Sequence, residues 1–374
     1  MLAATPPRVT DYATTNRMPR PKQEKHPGSP DSSEQTVNLR ELAKHLGLSV
    51  ATVSLVMNRS PAAKSIPQHT QTRVRAAARE LNYRPNAMAR MLRQRRSFTI
   101  GVIVPEIGEG YGALVLSGIE DHLLQEGYFY FVVSHRHRDD LIEEYPRLLQ
   151  QRAVEGLILV DTPCKKTIPV PMVAVSGHKH LSGVTNISLN HNRAAHLALQ
   201  HLSGLGHHQI AFMKGQAFSS DTEVRCSAVY AAARALGLDL PDELTAQLEG
   251  DSPTPQPGYD LTCKLLRSAP HFTALIAFND ISALGAIRAL REAGKRVPED
   301  VSVIGFDDIQ SAAFQNPGLT TIRQPLRQMG MTAAETVVRR INSPKNSDYP
   351  KNIIVEPELI VRGTTAAPYH GPPI

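Results

Sequence analysis

Several groups of residues in this chain have types and spacings that invite a chemical reading. His135–Arg136–His137 and His207–His208 set imidazoles close together. Neighbouring histidines point apart on a helix or a strand, and no third ligand follows at a useful interval, which argues against a metal. Ser176, Gly177 and His178 put a hydroxyl beside a base along the chain, but sequence adjacency is not spatial adjacency. The GEGYG stretch at 108–112 is too short and too poorly placed to cradle a dinucleotide. No GxSxG elbow and no Walker loop occurs. The three cysteines, Cys164, Cys226 and Cys263, are odd in number and far apart, which fits reduced core thiols rather than a disulfide framework or a zinc site. No catalytic residue, metal or cofactor is expected.

Charge points elsewhere. Residues 1–97 hold 17 Lys+Arg against 6 Asp+Glu, a net of +11, while residues 98–374 carry a net of −5. A basic front on an acidic body suits a polyanion: nucleic acid first, an anionic membrane surface second, with a solvated tail as the plain alternative. At 374 residues, 41% hydrophobic and 20% charged, the chain is globular in composition and long for one domain. It has no apolar run near the roughly 18–20 residues of a membrane span. It also lacks the apolar stretch of a secretory signal, so a cytoplasmic location is expected.

The elements that would position these residues follow from periodicity. Residues 1–35 are rich in Pro, Ser, Thr and basic residues and read as a disordered basic extension. From 36 to 82, three short amphipathic helices are expected. Asn38 caps the first, with Glu41 as its capping-box partner, and Leu39, Leu42, Ala43 and Leu46 form one stripe. Gly47 ends that helix and Ser49 caps the next, whose inner stripe is Val53, Val56 and Met57. Val74, Ala77, Ala78 and Leu81 repeat the spacing on a third, completing a helix-turn-helix arrangement. Residues 83–97 read as a short basic helix that needs a partner to form.

From Phe98 the pattern becomes strand–helix alternation. Strands are expected over Ile100–Val104, Phe129–Val133, Leu157–Val160, Met172–Val175, Ile210–Met213, Ala274–Phe278 and Val301–Gly305. Helices are expected over Ala113–Gln125, Arg193–Leu202, Cys226–Leu236, Ile281–Ala293 and Leu326–Ile341. Continuous apolar strands between helices indicate parallel sheet covered on both faces, and the length indicates two lobes. Ligands in such sheets bind at strand carboxyl ends, which singles out Asp161, Ser176, Asn279–Asp280 and Asp307–Asp308.

Residues 39–58 (LRELAKHLGLSVATVSLVMN) and 80–92 (ELNYRPNAMARML) resemble the LacI/GalR family of bacterial transcription regulators. The resemblance continues through SFTIGVIVP (97–105), LSGIEDHLLQEGY (116–128), HLSGLGHHQIAFMKG (201–215), AFNDISALGAIRAL (277–290), VPEDVSVIGFDD (297–308) and LTTIRQP (319–325). It implies a multidomain chain: an all-α helix-turn-helix headpiece (36–82), a hinge helix (83–97) and a two-lobed α/β periplasmic-binding-protein-like core with parallel sheets (98–364). The expected lobes are about 98–190 with 324–345, and about 191–323 with 346–364, followed by a flexible tail at 365–374. It further implies a homodimer on a palindromic operator in double-stranded DNA, and a small-molecule effector, such as a sugar or related metabolite, in the cleft. The ending GTTAAPYHGPPI carries no leucine heptads that would indicate a tetramerising coiled coil.

By this resemblance the second helix reads DNA. Val50, Ala51 and Leu55 stand on its outer face, where relatives read bases. These apolar side chains can pack on thymine methyl groups but cannot form bidentate hydrogen bonds, so weaker hydrogen-bonded readout is expected. Val50 could equally be a core contact. Thr52, Ser54 and Asn58 are candidates for phosphate, with local backbone caps as the alternative. Tyr83 and Asn86 suit phosphate or hinge contacts. Leu92 matches the family's minor-groove wedge, with Ala89 on the same face and Met88 against the partner's hinge; a deformable central step such as CG would suit it. Leu92 packing between hinge and core is the alternative. Arg93, Arg95 and Arg96 would add phosphate charge or form a solvated linker.

In the cleft, Arg225 matches an arginine that relatives use on a ligand hydroxyl or carboxylate, although the pattern after it departs to RCSAV. Asn279 and Asp307 match residues that bind sugar hydroxyls, each offering two hydrogen-bonding atoms in one plane. Asp221, Asp161, Gln324 and Tyr111 are further candidates. Asp280 and Asp308 read as caps of following helices. With no tryptophan, Tyr111 or Phe306 would serve as a stacking platform, unless Phe306 is core. A ligand-responsive regulator is the leading reading; a sugar-binding protein without gene control and an enzyme on a two-lobed scaffold are the alternatives.

Overall fold

The computed structural model describes residues 37–58, 60–83, 96–108, 110–164, 166–177, 181–268, 271–343 and 349–369. The chain divides into two units, Met1–Arg90 and Met91–Ile374. The extension at 1–35 and the hinge candidates Asn86, Met88, Ala89, Leu92, Arg93 and Arg95 lie outside the described residues.

Among the described residues, the first unit is built on three α-helices, α1 (Leu39–Leu46), α2 (Val50–Met57) and α3 (Gln68–Glu80). The Asn38–Glu41 capping box is present, and Gly47 ends α1 in the left-handed region at φ 61°. Ser49 caps α2 by accepting from the Thr52 amide at 3.1 Å. Caps of this kind are worth about 1 kcal/mol each, which matters for helices of two turns. Leu42, Ala43, Val53, Val56, Val74, Ala77 and Ala78 close into one small core.

The second unit holds two six-stranded sheets. The first has the order β11-β5-β4-β3-β1-β2 and is parallel throughout. Its strands are β1 (Thr99–Val104), β2 (Phe129–Ser134), β3 (Gly156–Val160), β4 (Met172–Val175), β5 (Val184–Leu189) and β11 (Asn352–Val355). The second has the order β12-β10-β9-β8-β6-β7, with only β12 antiparallel. It comprises β6 (Ile210–Lys214), β7 (Thr245–Gln247), β8 (Ala274–Ile276), β9 (Ser302–Asp307), β10 (Thr320–Arg323) and β12 (Glu358–Ile360).

Helices cover both faces of each sheet, which is why β1, β3, β4, β8 and β9 are buried at every position. On the first sheet, α4 (Tyr111–Gln125) and α11 (Leu326–Asn342) cover the face that Ile100, Val102 and Val104 point to. Ile103 points the other way, towards Leu149 of α5 (Asp139–Gln151). Gly118 and Gly330 set the α4–α11 spacing, because a methyl group on either would overlap the other helix's backbone. On the second sheet, α6 (His191–Gly204) and α7 (Ser220–Ala235) cover one face, and α8 (Gln256–Ser268) and α9 (Asp280–Glu292) the other; the short α10 (Gln310–Phe314) follows β9.

Three expectations need correction. The final crossing between lobes falls after Val355 and not near residue 346, because β11 pairs with β5 in the first sheet. The start of the expected flexible tail is docked: Ala366 donates to Ser302 Oγ at 3.0 Å, and its carbonyl accepts from His207 at 2.8 Å. Asp280 and Asp308 are not helix caps. Asp280 is buried and accepts from Thr321 Oγ1 at 2.6 Å and the Ile309 amide at 2.9 Å, while Asp308 pairs with Arg323 and Arg362.

Candidate nucleic-acid interface and ligand cleft

Helix α2 divides its side chains by face. Val53 and Val56 are buried, whereas Val50 is 42% exposed, Ala51 is exposed and Leu55 is half-buried outside the core. The core alternative for Val50 therefore does not hold. The polar residues nearby are largely engaged with one another. Thr52 Oγ1 lies 2.8 Å from Ser49 Oγ. Asn58 Nδ2 donates to the Ser54 carbonyl at 2.8 Å and to Ser54 Oγ at 3.1 Å, the local capping alternative. Ser54 is buried, which corrects its expected phosphate contact: it sits between Val53 and Val56 on the core side. Tyr83 packs against the headpiece core, and burial raises its phenol pKa. Arg96 belongs to the second unit and not to a phosphate site. It pairs with Glu155 at 2.8 Å, meets the Tyr128 hydroxyl at 2.5 Å and lies over the Phe98 ring.

The two sheets of the second unit turn their strand carboxyl ends towards a cleft with a cavity of about 120 Å³. Tyr111, Asp161, Asp221, Arg225, Asn279 and Asp307 all line it, so the fold brings together six of the seven cleft residues expected from the sequence. The seventh, Gln324, stands behind. It is buried and donates to Asp307 Oδ1 at 2.6 Å, so it positions that carboxyl. Several lining loops hold non-glycine residues at positive φ: Asp161 at 39°, Ser176 at 56°, His137 at 57° and Asp307 at 113°. Such conformations cost roughly 1–3 kcal/mol each and persist only where surrounding contacts enforce them.

Arg225 is the most constrained group in the cleft. One Nη donates to the Phe278 carbonyl and the other to Asp221 Oδ2 at 3.1 Å. Its guanidinium lies 3.7 Å from the Phe306 ring centroid and 4.4 Å from that of Phe278. Phe306 is thus both core and platform, but its platform serves arginine. His191 Nε2 stands 3.5 Å from Asp221 Oδ1 on the same side. Asn279 Oδ1 caps α9 by accepting from the Ser282 amide at 2.8 Å. Tyr111 donates to Ser176 Oγ at 2.7 Å.

Electrostatics follow from burial. Removal from water pushes the Asp307 carboxyl well above its ordinary value; Arg225 opposes this, and Asp280 adds to it. The Tyr111 phenol is raised well above its ordinary value by burial and then by Asp221 and Asp161. At the mouth, burial and then Asp251 raise Glu106, while burial lowers His137.

The comparisons agree with this geometry. The bacterial regulatory proteins, lacI family, match residues 38–86, and the periplasmic binding protein-like domain matches residues 199–365. The HTH-type transcriptional repressor PurR of Aliivibrio fischeri (strain MJ11) is 32% identical over 335 residues, spanning 87% of this chain and 97% of that protein. This chain belongs to the LacI family. The PurR repressor of Haemophilus influenzae is 31% identical over 334 residues, with the same coverage of 87% and 97%. Among solved structures, the lac repressor dimer bound to operator and the anti-inducer ONPF aligns at a TM-score of 0.75 with 27% identity, covering 88% of this chain and 99% of that one. The transcriptional regulator CelR–cellobiose complex aligns at 0.64 with 27% identity and the same coverage.

As a LacI-family regulator, the protein carries a helix-turn-helix unit for DNA and a two-sheet core for a small effector. Among the described residues no His, Cys, Asp and Glu group could hold a metal, and no helix is long and apolar enough to cross a membrane. The sequence reading missed Ser220, which joins the lobes through Asp161, and the His137–Phe218 ring contact at 3.8 Å across the cleft mouth. His137 was legible only as half of a rejected metal pair. Ser220 carried no signal, because the SSDTEV stretch reads as a loop and instead opens α7.

Proposed function

We propose that the protein is a homodimeric repressor that holds a palindromic operator and changes its grip when a sugar or related metabolite enters the cleft. In this reading α2 of each copy enters the major groove of one half-site, with Val50, Ala51 and Leu55 at the base edges. Thr52 and Asn58 add to the phosphate side. Leu92, with Ala89 beside it, wedges the central step, and Tyr83 and Asn86 steady the segment that carries them. The observation that carries the reading is the union, in one chain, of a capped recognition helix with an outward apolar face and a buried polar cleft at the ends of two sheets.

Effector control works through the lobes. The ligand makes different contacts in open and closed cores and so biases the two populations; the hinge segments of a dimer then move together or apart. The β2 edge supports a partner copy: Phe129 is 62% and Phe131 36% exposed, and their rings meet at 5.3 Å. No catalysis is assigned to any residue.

The test is selection of binding sites from a random double-stranded DNA pool, with Leu92→Ala as the control. A palindrome enriched by the wild type and weakened in the variant supports the reading. No enrichment at low salt, with candidate metabolites present, overturns it.

A further inference from the structure

The two lobes enclose a second cavity, of about 720 Å³ against about 120 Å³ for the cleft. That volume lies within the roughly 300–1,000 Å³ of small-molecule sites. Ser220 marks the division between the two. Its hydroxyl lies 2.6 Å from Asp161 Oδ1; Asp161 lines the cleft, and Ser220 lines the second cavity. Arg225, Asn279 and Asp307 line the cleft and not this cavity.

The walls differ in chemistry. The first lobe supplies an apolar one: Ala174, Val184 and Cys164 belong to the core that α5 covers, and Pro163 and Leu181 extend it. The second lobe supplies a polar one. In β6, Ile210 and Phe212 point into the core beneath α7, and strand alternation carries Lys214 to the same face. Glu223, Cys226, Ser227 and Tyr230 fall at i, i+3, i+4 and i+7 of α7, so one face of that helix lines the cavity.

The polar groups are unequally engaged. Gln247 Nε2 donates to the Gly215 carbonyl at 2.9 Å, and Thr222 Oγ1 to the Gln216 carbonyl at 2.7 Å. Among the described residues, Lys214 has no ion pair and the Tyr230 hydroxyl no hydrogen bond. Lys214 stands near enough to Cys226 to work against the burial that raises its thiol. Glu223 is exposed, whereas Lys214 and Tyr230 are half-buried. A cation and a hydroxyl donor are thus left open in a cavity whose other wall is apolar.

We infer that this cavity is a second ligand site, taking a small carboxylic acid with an apolar body. The carboxylate pairs with Lys214 and accepts from Tyr230, while the body lies on Pro163, Leu181 and Val184. Both lobes contribute a wall, so an occupant favours the lobe arrangement in which the walls meet. The site is separate from the cleft and does not depend on what the cleft holds.

The three cysteines make the test site-specific. Cys164 and Cys226 line the cavity, and Cys263 does not. Burial raises the first two thiols, so the full chain is alkylated with iodoacetamide at about pH 9, where thiolate forms, and each cysteine is followed by mass spectrometry. The probes are 3-phenylpropionate, benzoate and hexanoate, each against its own amide, with acetate as the acid that has almost no body. The expected result is slower alkylation of Cys164 and Cys226 and no change at Cys263. The best acid protects at a concentration at least about tenfold below its amide, the worth of a charged hydrogen bond. Lys214→Met, checked for an unchanged thermal melt, removes the preference for acid over amide.

Protection of neither thiol by any acid overturns the site. An amide as effective as its acid, or an undiminished acid preference in Lys214→Met, overturns the role of Lys214. Acetate as effective as 3-phenylpropionate overturns the apolar wall. An acid that slowed the thiols by entering the cleft would keep its effect in Lys214→Met, because Lys214 does not line the cleft.

Discussion

Ser220 Oγ lies 2.6 Å from Asp161 Oδ1 and so ties the first turn of α7, in one lobe, to the end of β3 in the other. The same oxygen lies 2.5 Å from the Ser176 carbonyl, and the Ser220 amide donates to Asp161 at 3.2 Å. Removing the hydroxyl weakens closure without opening either core. For Ser220→Ala, the effector Kd rises about tenfold, as expected for a hydrogen bond to a charged group. Its urea midpoint stays near the wild-type value. Titration calorimetry and denaturation measure the two, and an unchanged Kd refutes the clamp.

Val50, Ala51 and Leu55 read methyl groups if they read anything. Replacing thymine by deoxyuridine in a selected half-site removes one methyl and nothing else. Each productive replacement weakens binding by about fourfold, the worth of one buried methylene. Sequence-blind binding stays the same, because phosphates supply it. Competition gel shifts decide this, and a half-site indifferent to every such replacement argues for hydrogen-bonded readout from elsewhere.

Asp280 gives the core a pH signature. Burial pushes its carboxyl up to about 7, against the opposing hydrogen bonds from Thr321 and Ile309. The folded chain thus keeps a proton that the unfolded chain has already lost. The stability contributed here is full below the ordinary value of 3.8 and falls away as the pH rises towards about 7. Asp280→Asn has no such proton, so the wild type loses ground to the variant between about pH 4 and pH 7. Denaturant melts across that range measure the difference, which would be flat if Asp280 titrated normally.

The exposed pair Phe129 and Phe131 sits on the outer strand of the first sheet. A charge placed there meets its own copy in a symmetric interface. Phe131→Asp yields monomers in analytical ultracentrifugation at micromolar concentration. Operator affinity falls by more than about a hundredfold, because two linked half-site contacts become independent. A dimeric variant places the interface elsewhere.

Much of this was legible in the residues. The headpiece helices followed from caps and stripes: Asn38, Gly47 and Ser49 mark ends by local chemistry that needs no tertiary context. Strands β1, β2, β3, β4, β6, β8 and β9 followed from apolar runs. The inner strands β5 and β10 did not, because Thr185, Asn186 and Ser188 interrupt one and Thr320, Thr321 and Arg323 the other; the edge strands β7, β11 and β12 are short and partly exposed and carry no such run either. Helix α5 was hidden by Pro146 in its interior. In the cleft, residue identities were readable from resemblance, but roles were not. That Gln324 holds Asp307, and that Arg225 is braced by the Phe278 carbonyl, depends on contacts across 17 and 53 residues of chain.

The chain passes between the two lobes three times, after β5, after β10 and after β11. One such link would leave the lobes free to swivel; three links side by side remove sliding and torsion and leave one soft rotation. An occupant of the cleft can then be reported outward only as an angle. A mechanical part with a single degree of freedom transmits little noise, and it needs no chain of communicating side chains to do so.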